Sequence, residues 1–88
     1  MTMKTIPVFD LEEDFNNPLK DKDVELNFNK ILELYIHDDN FDKPEGFVDL
    51  VVKHQGVPGE ALYATKQEAA EEAVNAFNDW VKRGRPVS

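Results

Sequence analysis

The last quarter of the chain constrains the fold most. Ala69, Ala70, Ala73, Val74, Ala76, Phe77, Trp80 and Val81 recur at three- and four-residue spacing. That period gathers them on one stripe of an α-helix, and such a stripe must be buried against another element. Thr65-Lys66-Gln67-Glu68, just before it, has the form of a capping box. There the Thr65 hydroxyl accepts from the Glu68 backbone N–H, and the Glu68 carboxylate accepts from the N–H of Thr65. Glu68, Glu71 and Glu72 near the start, with Lys82 and Arg83 at the end, suit the macrodipole. Gly84 is a natural residue just past the helix, and Pro86 blocks continuation. The spacing predicts a helix over 66–82.

Upstream, Leu26, Phe28, Leu32, Leu34 and Ile36 alternate, with Lys30 the only break. Phe47 to Lys53 is dense in β-branched and aromatic residues, and 60–64 is a short third run. A rival reading makes 24–35 a helix through Val24, Phe28, Ile31, Leu32 and Tyr35. Asn27 and Asn29 are poor helix formers, and the strand template fits slightly better. Gly56-Val57-Pro58-Gly59 suits a type II turn, with φ fixed by Pro58 and a positive φ supplied by Gly59. With 38–46 as a loop, Ile36 is expected opposite Val48, Leu34 opposite Leu50 and Leu32 opposite Val52. Every such pair is apolar and on one face, which the helix stripe would cover.

The first 25 residues read as an acidic N-terminal segment: an edge strand at Thr5–Phe9, limited to an edge by Pro7, then a loop punctuated by Asn16-Asn17-Pro18. The expected architecture is one α+β domain over 1–88. A small antiparallel sheet of three to four strands, within 26–64, carries one C-terminal helix packed on one face, a β-β-β-α core.

Composition narrows the function. Eighteen Asp and Glu against ten Lys and Arg give a net charge of −8, which argues against gripping nucleic acid or anionic lipid by bulk charge. With no cysteine there is no disulfide, thiol nucleophile or thiolate metal site. No apolar run approaches the roughly 18 residues of a membrane span and no signal peptide opens the chain, so the expected location is cytoplasmic. The only serine is Ser88, and His37 and His54 fall at opposite ends of the expected hairpin. No constellation stands out for catalysis, and the expectation is a non-enzyme with no cofactor and no metal. Asp38-Asp39-Asn40-Phe41-Asp42 matches the first half of an EF-hand loop. Lys43 stands where the loop needs Gly, and Asp49 where it needs Glu, so a solvated hairpin loop is the better reading.

Ala64-Thr65-Lys66-Gln67-Glu68-Ala69-Ala70, after a β-hairpin, resembles the start of the last helix in double-stranded RNA-binding domains. The same β-β-β-α run, with Pro58-Gly59 before it, is similar to HicB-type antitoxins. The RNA-binding family implies a lysine cluster meeting phosphate at this helix start, whereas Gln67, Glu68, Glu71 and Glu72 stand here. Both are likenesses of architecture, and no functional residue is carried over from either.

Two acid clusters remain: Asp10, Glu12, Glu13 and Asp14 with Asp21, Asp23 and Glu25, and Asp38, Asp39, Asp42 and Glu45 with Asp49. Phe9, Phe15, Tyr35, Phe41 and Phe47 lie near them. Acids solubilise any surface. Gathered around aromatics, they also fit the charged rim and apolar centre of a protein interface. The expected binding residues are Asp10, Glu12, Glu13, Asp14, Asp38, Asp39, Phe41, Asp42 and Glu45. The expected partner is a protein with a basic, nucleic-acid-binding type of surface, and the chain a monomer or homodimer. The expected role is to bind and inhibit that partner, in the manner of small phage or mobile-element proteins such as anti-CRISPR, anti-restriction and DNA-mimic proteins. The alternative is an antitoxin-like or regulatory subunit acting by dimerisation or toxin masking.

Overall fold

The computed structural model describes residues 3–10, 18–37 and 44–85. Among them the chain runs β1 (Met3–Asp10), β2 (Leu19–Asn27), a 3-10 turn (Phe28–Lys30), β3 (Ile31–His37), β4 (Phe47–His54), β5 (Ala61–Lys66) and α1 (Gln67–Lys82). β1 and β2 form an antiparallel pair, and β3-β4-β5 form an antiparallel three-stranded sheet. This is a small α+β fold whose C-terminal helix packs on the sheet, as the periodicities predict. The helix-bearing sheet has three strands, as expected, and β1 and β2 add a separate two-stranded pair. β1 runs beside β5, so β2 is the outer strand on one side and β3 on the other.

One core lies between the β layer and α1. Ile6, Leu26, Phe28, Ile31, Leu34, Val48, Leu50 and Val52 meet Ala70, Ala73, Phe77 and Trp80 of the helix stripe. Phe28, Phe77 and Trp80 close it at one end, with ring centroids 5.4–5.8 Å apart. Such aromatic pairs add about 0.5–1.5 kcal/mol each beyond the area they bury.

Four local features depart from the sequence reading. First, part of the expected N-terminal loop is β2. Lys20, Asp21, Lys22 and Asp23 hide it, because this stretch is exposed; only Leu26 is buried and Val24 half-buried. Pairing with β1, not burial, holds its first half. Second, the alternating run from Leu26 to Ile36 is two strands. Asn27 accepts from the Asn29 N–H at 3.1 Å and turns the chain through Phe28–Lys30, the point marked by Lys30. Third, Ile36 lies opposite Leu50 and Leu34 opposite Val52, two residues from the expected register. A two-residue slip preserves the face, so the same apolar side meets the helix. A bulge between Ile31 and Glu33 then reverses the alternation: Ile31 is fully buried, and Leu32, expected inside, is half exposed.

The fourth departure is the capping box. The residue before α1 is Lys66, and no side chain caps the helix. Thr65 belongs to β5, level with Val48, and is fully buried on the core face. Its Oγ1 has no hydrogen-bond partner among the described residues. The strand ladder claims Thr65, so its hydroxyl cannot swing to the helix start. The helix end follows the sequence: Gly84 has φ 87°, its N–H donates to the Val81 carbonyl, and the Arg85 N–H donates to the Trp80 carbonyl. Those two bonds make a Schellman motif. In the turn after β4, the Val57 N–H donates to the His54 carbonyl, with Gly56 at φ 74°. Gly59, at φ 85°, makes a second bend where a single turn over 56–59 was expected.

Candidate functional site: an acidic end and an open sheet face

α1 covers one face of the β layer and leaves the other open. The register sorts the open face of the three-stranded sheet into rows. Tyr35, Val51 and Leu62 make an apolar row across β3, β4 and β5. His37, Asp49 and Ala64 lie on one side of it, and Glu33 with Lys53 on the other. Val51 is buried at 2% exposure although it faces away from the helix, because Tyr35 and Leu62 flank it; Leu62 itself is 60% exposed. Lys53 Nζ is 3.4 Å from Glu33. The Tyr35 hydroxyl donates to Glu60 at 3.4 Å. Partial burial of the ring, then the Glu60 carboxylate, raise the Tyr35 pKa above 10.0.

The strand ends separate charge. Phe9, near the end of β1, packs edge-to-face on Phe47, the first residue of β4, with centroids 5.2 Å apart. Lys66, level with Phe47 on β5, has its Nζ 5.7 Å from the Phe9 ring centre. The C-terminal ends of β1, β3 and β5, the start of β4 and the start of α1 therefore lie together. Asp10, Asp21, Glu45, Asp49, Glu68 and Glu71 are described acids there, with Lys20, Lys22 and Lys66 beside them. A groove of about 330 Å³ lined by Gly46, Lys66, Gln67, Glu68 and Glu71 opens beside them. Among the described residues no ion pair neutralises Glu45, Glu68 or Glu71. The opposite end, where Phe28 meets Trp80, carries both signs: Lys30, Lys53, Lys82, Arg83 and Arg85 with Glu33, Glu60 and Asp79, Arg83 lying 3.4 Å from Asp79 and the Arg85 guanidinium 5.9 Å from the Trp80 ring centre. β4 alone spans about 25 Å at strand rise. That is roughly three Debye lengths at physiological salt, so the two ends act as separate fields.

Of the nine expected binding residues, the structure describes Asp10 and Glu45, and both belong to the acidic end. Glu12, Glu13, Asp14, Asp38, Asp39, Phe41 and Asp42 lie outside the described residues, as does Phe15. The segments that hold them, 11–17 and 38–43, carry six of the eighteen acids and one lysine. The described residues that precede them, Asp10 and His37, are both at this end. Asp21 lies at the same end, where β2 starts beside Asp10 and Phe9. Asp23 and Glu25 lie further along that outer strand, and Asp23 pairs with Lys20 at 2.9 Å. The sequence reading missed Glu68 and Glu71 as members of the acidic end. It spent them on the helix dipole, and only the β5–α1 junction brings them beside Glu45.

His37 lies level with Asp49, and His54 level with Ile31, at opposite ends of the β3–β4 pair. Among the described residues no three His, Asp or Glu side chains converge as a metal site would need. No helix among them is long and apolar enough to cross a membrane. No family model matches the chain, and no curated protein or solved structure matches it.

Proposed function

We propose that this is a non-enzymatic protein-binding domain whose acidic end docks on a basic surface of a partner protein and inhibits it by occupying that surface. The observation that carries the reading is the meeting of Asp10, Glu45, Asp49, Glu68 and Glu71 at one end of the β layer. An excess of negative charge at one end, with Lys20, Lys22 and Lys66 as the described basic residues among the acids, speeds encounter with an opposite field and turns away wrong partners. The exposed apolar and aromatic groups beside it supply the contact area that charge alone does not. The groove rimmed by Glu68 and Glu71 suits a lysine or arginine side chain. A partner surface that ordinarily holds nucleic acid has this chemistry. The reading places the chain with small acidic inhibitors of the phage and mobile-element type, on size and charge.

The test is a binding series with the partner captured from the native host at low salt. Affinity is expected to fall steeply as salt rises. Charge reversal at Asp38, Asp39 and Asp42 should slow association, while the same reversal at Asp23, Glu25 and Asp79 should leave it nearly unchanged. Salt-insensitive binding, or equal losses from the two sets, would overturn the reading.

A further inference from the structure

The two outer strands of the β layer are built differently. β2 carries Lys20, Asp21, Lys22, Asp23 and Glu25, all exposed, and a bulge beside Val8 and Phe9. Charges and bulges are how edge strands avoid pairing with other chains. β3 has neither lysine nor proline; past the bulge at its start it reads Glu33, Leu34, Tyr35, Ile36, His37. Among the described residues it pairs on one side only, with β4.

We infer that a second copy of this chain pairs with β3, edge to edge and antiparallel, about a two-fold axis at Tyr35. That register is self-complementary. Glu33 of each copy lies opposite His37 of the other, and Leu34 opposite Ile36 on the face that α1 covers. Tyr35 meets its own mate, so the apolar row Leu62–Val51–Tyr35 continues through the axis into the second copy. Antiparallel pairing also sets the acidic end of each copy beside the mixed-charge end of the other, which carries Lys30 and Lys82, rather than beside its like, so the two acidic ends do not meet. The result is a six-stranded sheet across two copies, with the β3 edges covered and the charged β2 edges outermost. This surface is separate from the docking end proposed above, and each can fail without the other.

The chain has no cysteine, so an introduced one reports alone. Residues directly opposite in an antiparallel pair have Cβ atoms about 4.5–5.5 Å apart, within reach of a disulfide once the strands adjust slightly. Tyr35→Cys should therefore oxidise to a covalent dimer. Leu62→Cys, two strands in and about 12 Å from the axis on each side, should not. In sedimentation velocity the unmodified chain should shift from monomer to dimer between roughly 1 and 500 µM. Glu33→Lys, which leaves a lysine facing His37, should weaken the dimer about tenfold with an unchanged far-ultraviolet spectrum. A chain that stays monomeric over that range overturns the inference. So does a dimer indifferent to Glu33→Lys, or a Tyr35→Cys variant that cross-links no faster than Leu62→Cys.

Discussion

Thr65→Val should stabilise this protein, against the usual direction of a core polar substitution. Thr65 is fully buried on β5, and Oγ1 has no hydrogen-bond partner among the described residues. Burying a hydroxyl without a partner costs about 1–3 kcal/mol. Valine keeps the branched Cβ, and with it the strand rotamer, and puts a methyl group where the hydroxyl sat. The expected gain is about 1–2 kcal/mol. For a domain of this size each kcal/mol moves Tm by about 4–8 °C, so Tm should rise by roughly 4–16 °C. Calorimetry reads the shift, and urea unfolding should show a higher midpoint with the same slope. The capping-box reading of Thr65 predicts the opposite sign, a loss of about 0.5–2 kcal/mol. A fall in Tm on Thr65→Val, with the fold intact, would refute the reasoning: it would mean that the hydroxyl has a partner.

Ile31→Ala should cost about 2–5 kcal/mol and Leu32→Ser less than about 0.5 kcal/mol, because the bulge buries the first and exposes the second; chemical denaturation of the two variants measures the contrast. Gly84→Ala should lose about 1 kcal/mol, since φ 87° is strained for any residue with a Cβ although nothing crowds the site. The Tyr35 phenol should ionise above the usual pH in an ultraviolet titration, and Glu60→Gln should lower its midpoint. The fold favours the neutral phenol. Its contribution to stability is therefore whole below the unfolded pKa and is lost as pH rises through the raised folded value.

The helix was legible because sixteen residues repeat one pattern and Gly84 marks its end. The inner faces of β3 and β4 were legible because period-two alternation survives a two-residue slip. Three features were not. β2 is amphipathic only at Val24 and Leu26, and its charged half is a strand because β1 supplies hydrogen bonds that no local pattern announces. The bulge at Leu32 is a tertiary choice: fully burying Ile31 reverses the side-chain alternation at the next residue. Thr65-Lys66-Gln67-Glu68 satisfies the capping rule by composition, but the β4–β5 ladder takes Thr65 first. As for the site, Asp10 and Glu45 are 35 positions apart, and tertiary contacts such as Phe9–Phe47 and Phe9–Lys66 bring them to one end.

The gathering of acids at one end is tested most directly by a proton–nitrogen correlation titration of the labelled chain with an arginine-rich peptide. The backbone signals of Phe9, Asp10, Glu45, Gly46, Lys66 and Gln67 should move first and furthest, and salt should reverse the shifts. Shifts spread evenly over the surface, or centred on Asp23, Glu25 and Asp79, would contradict the account.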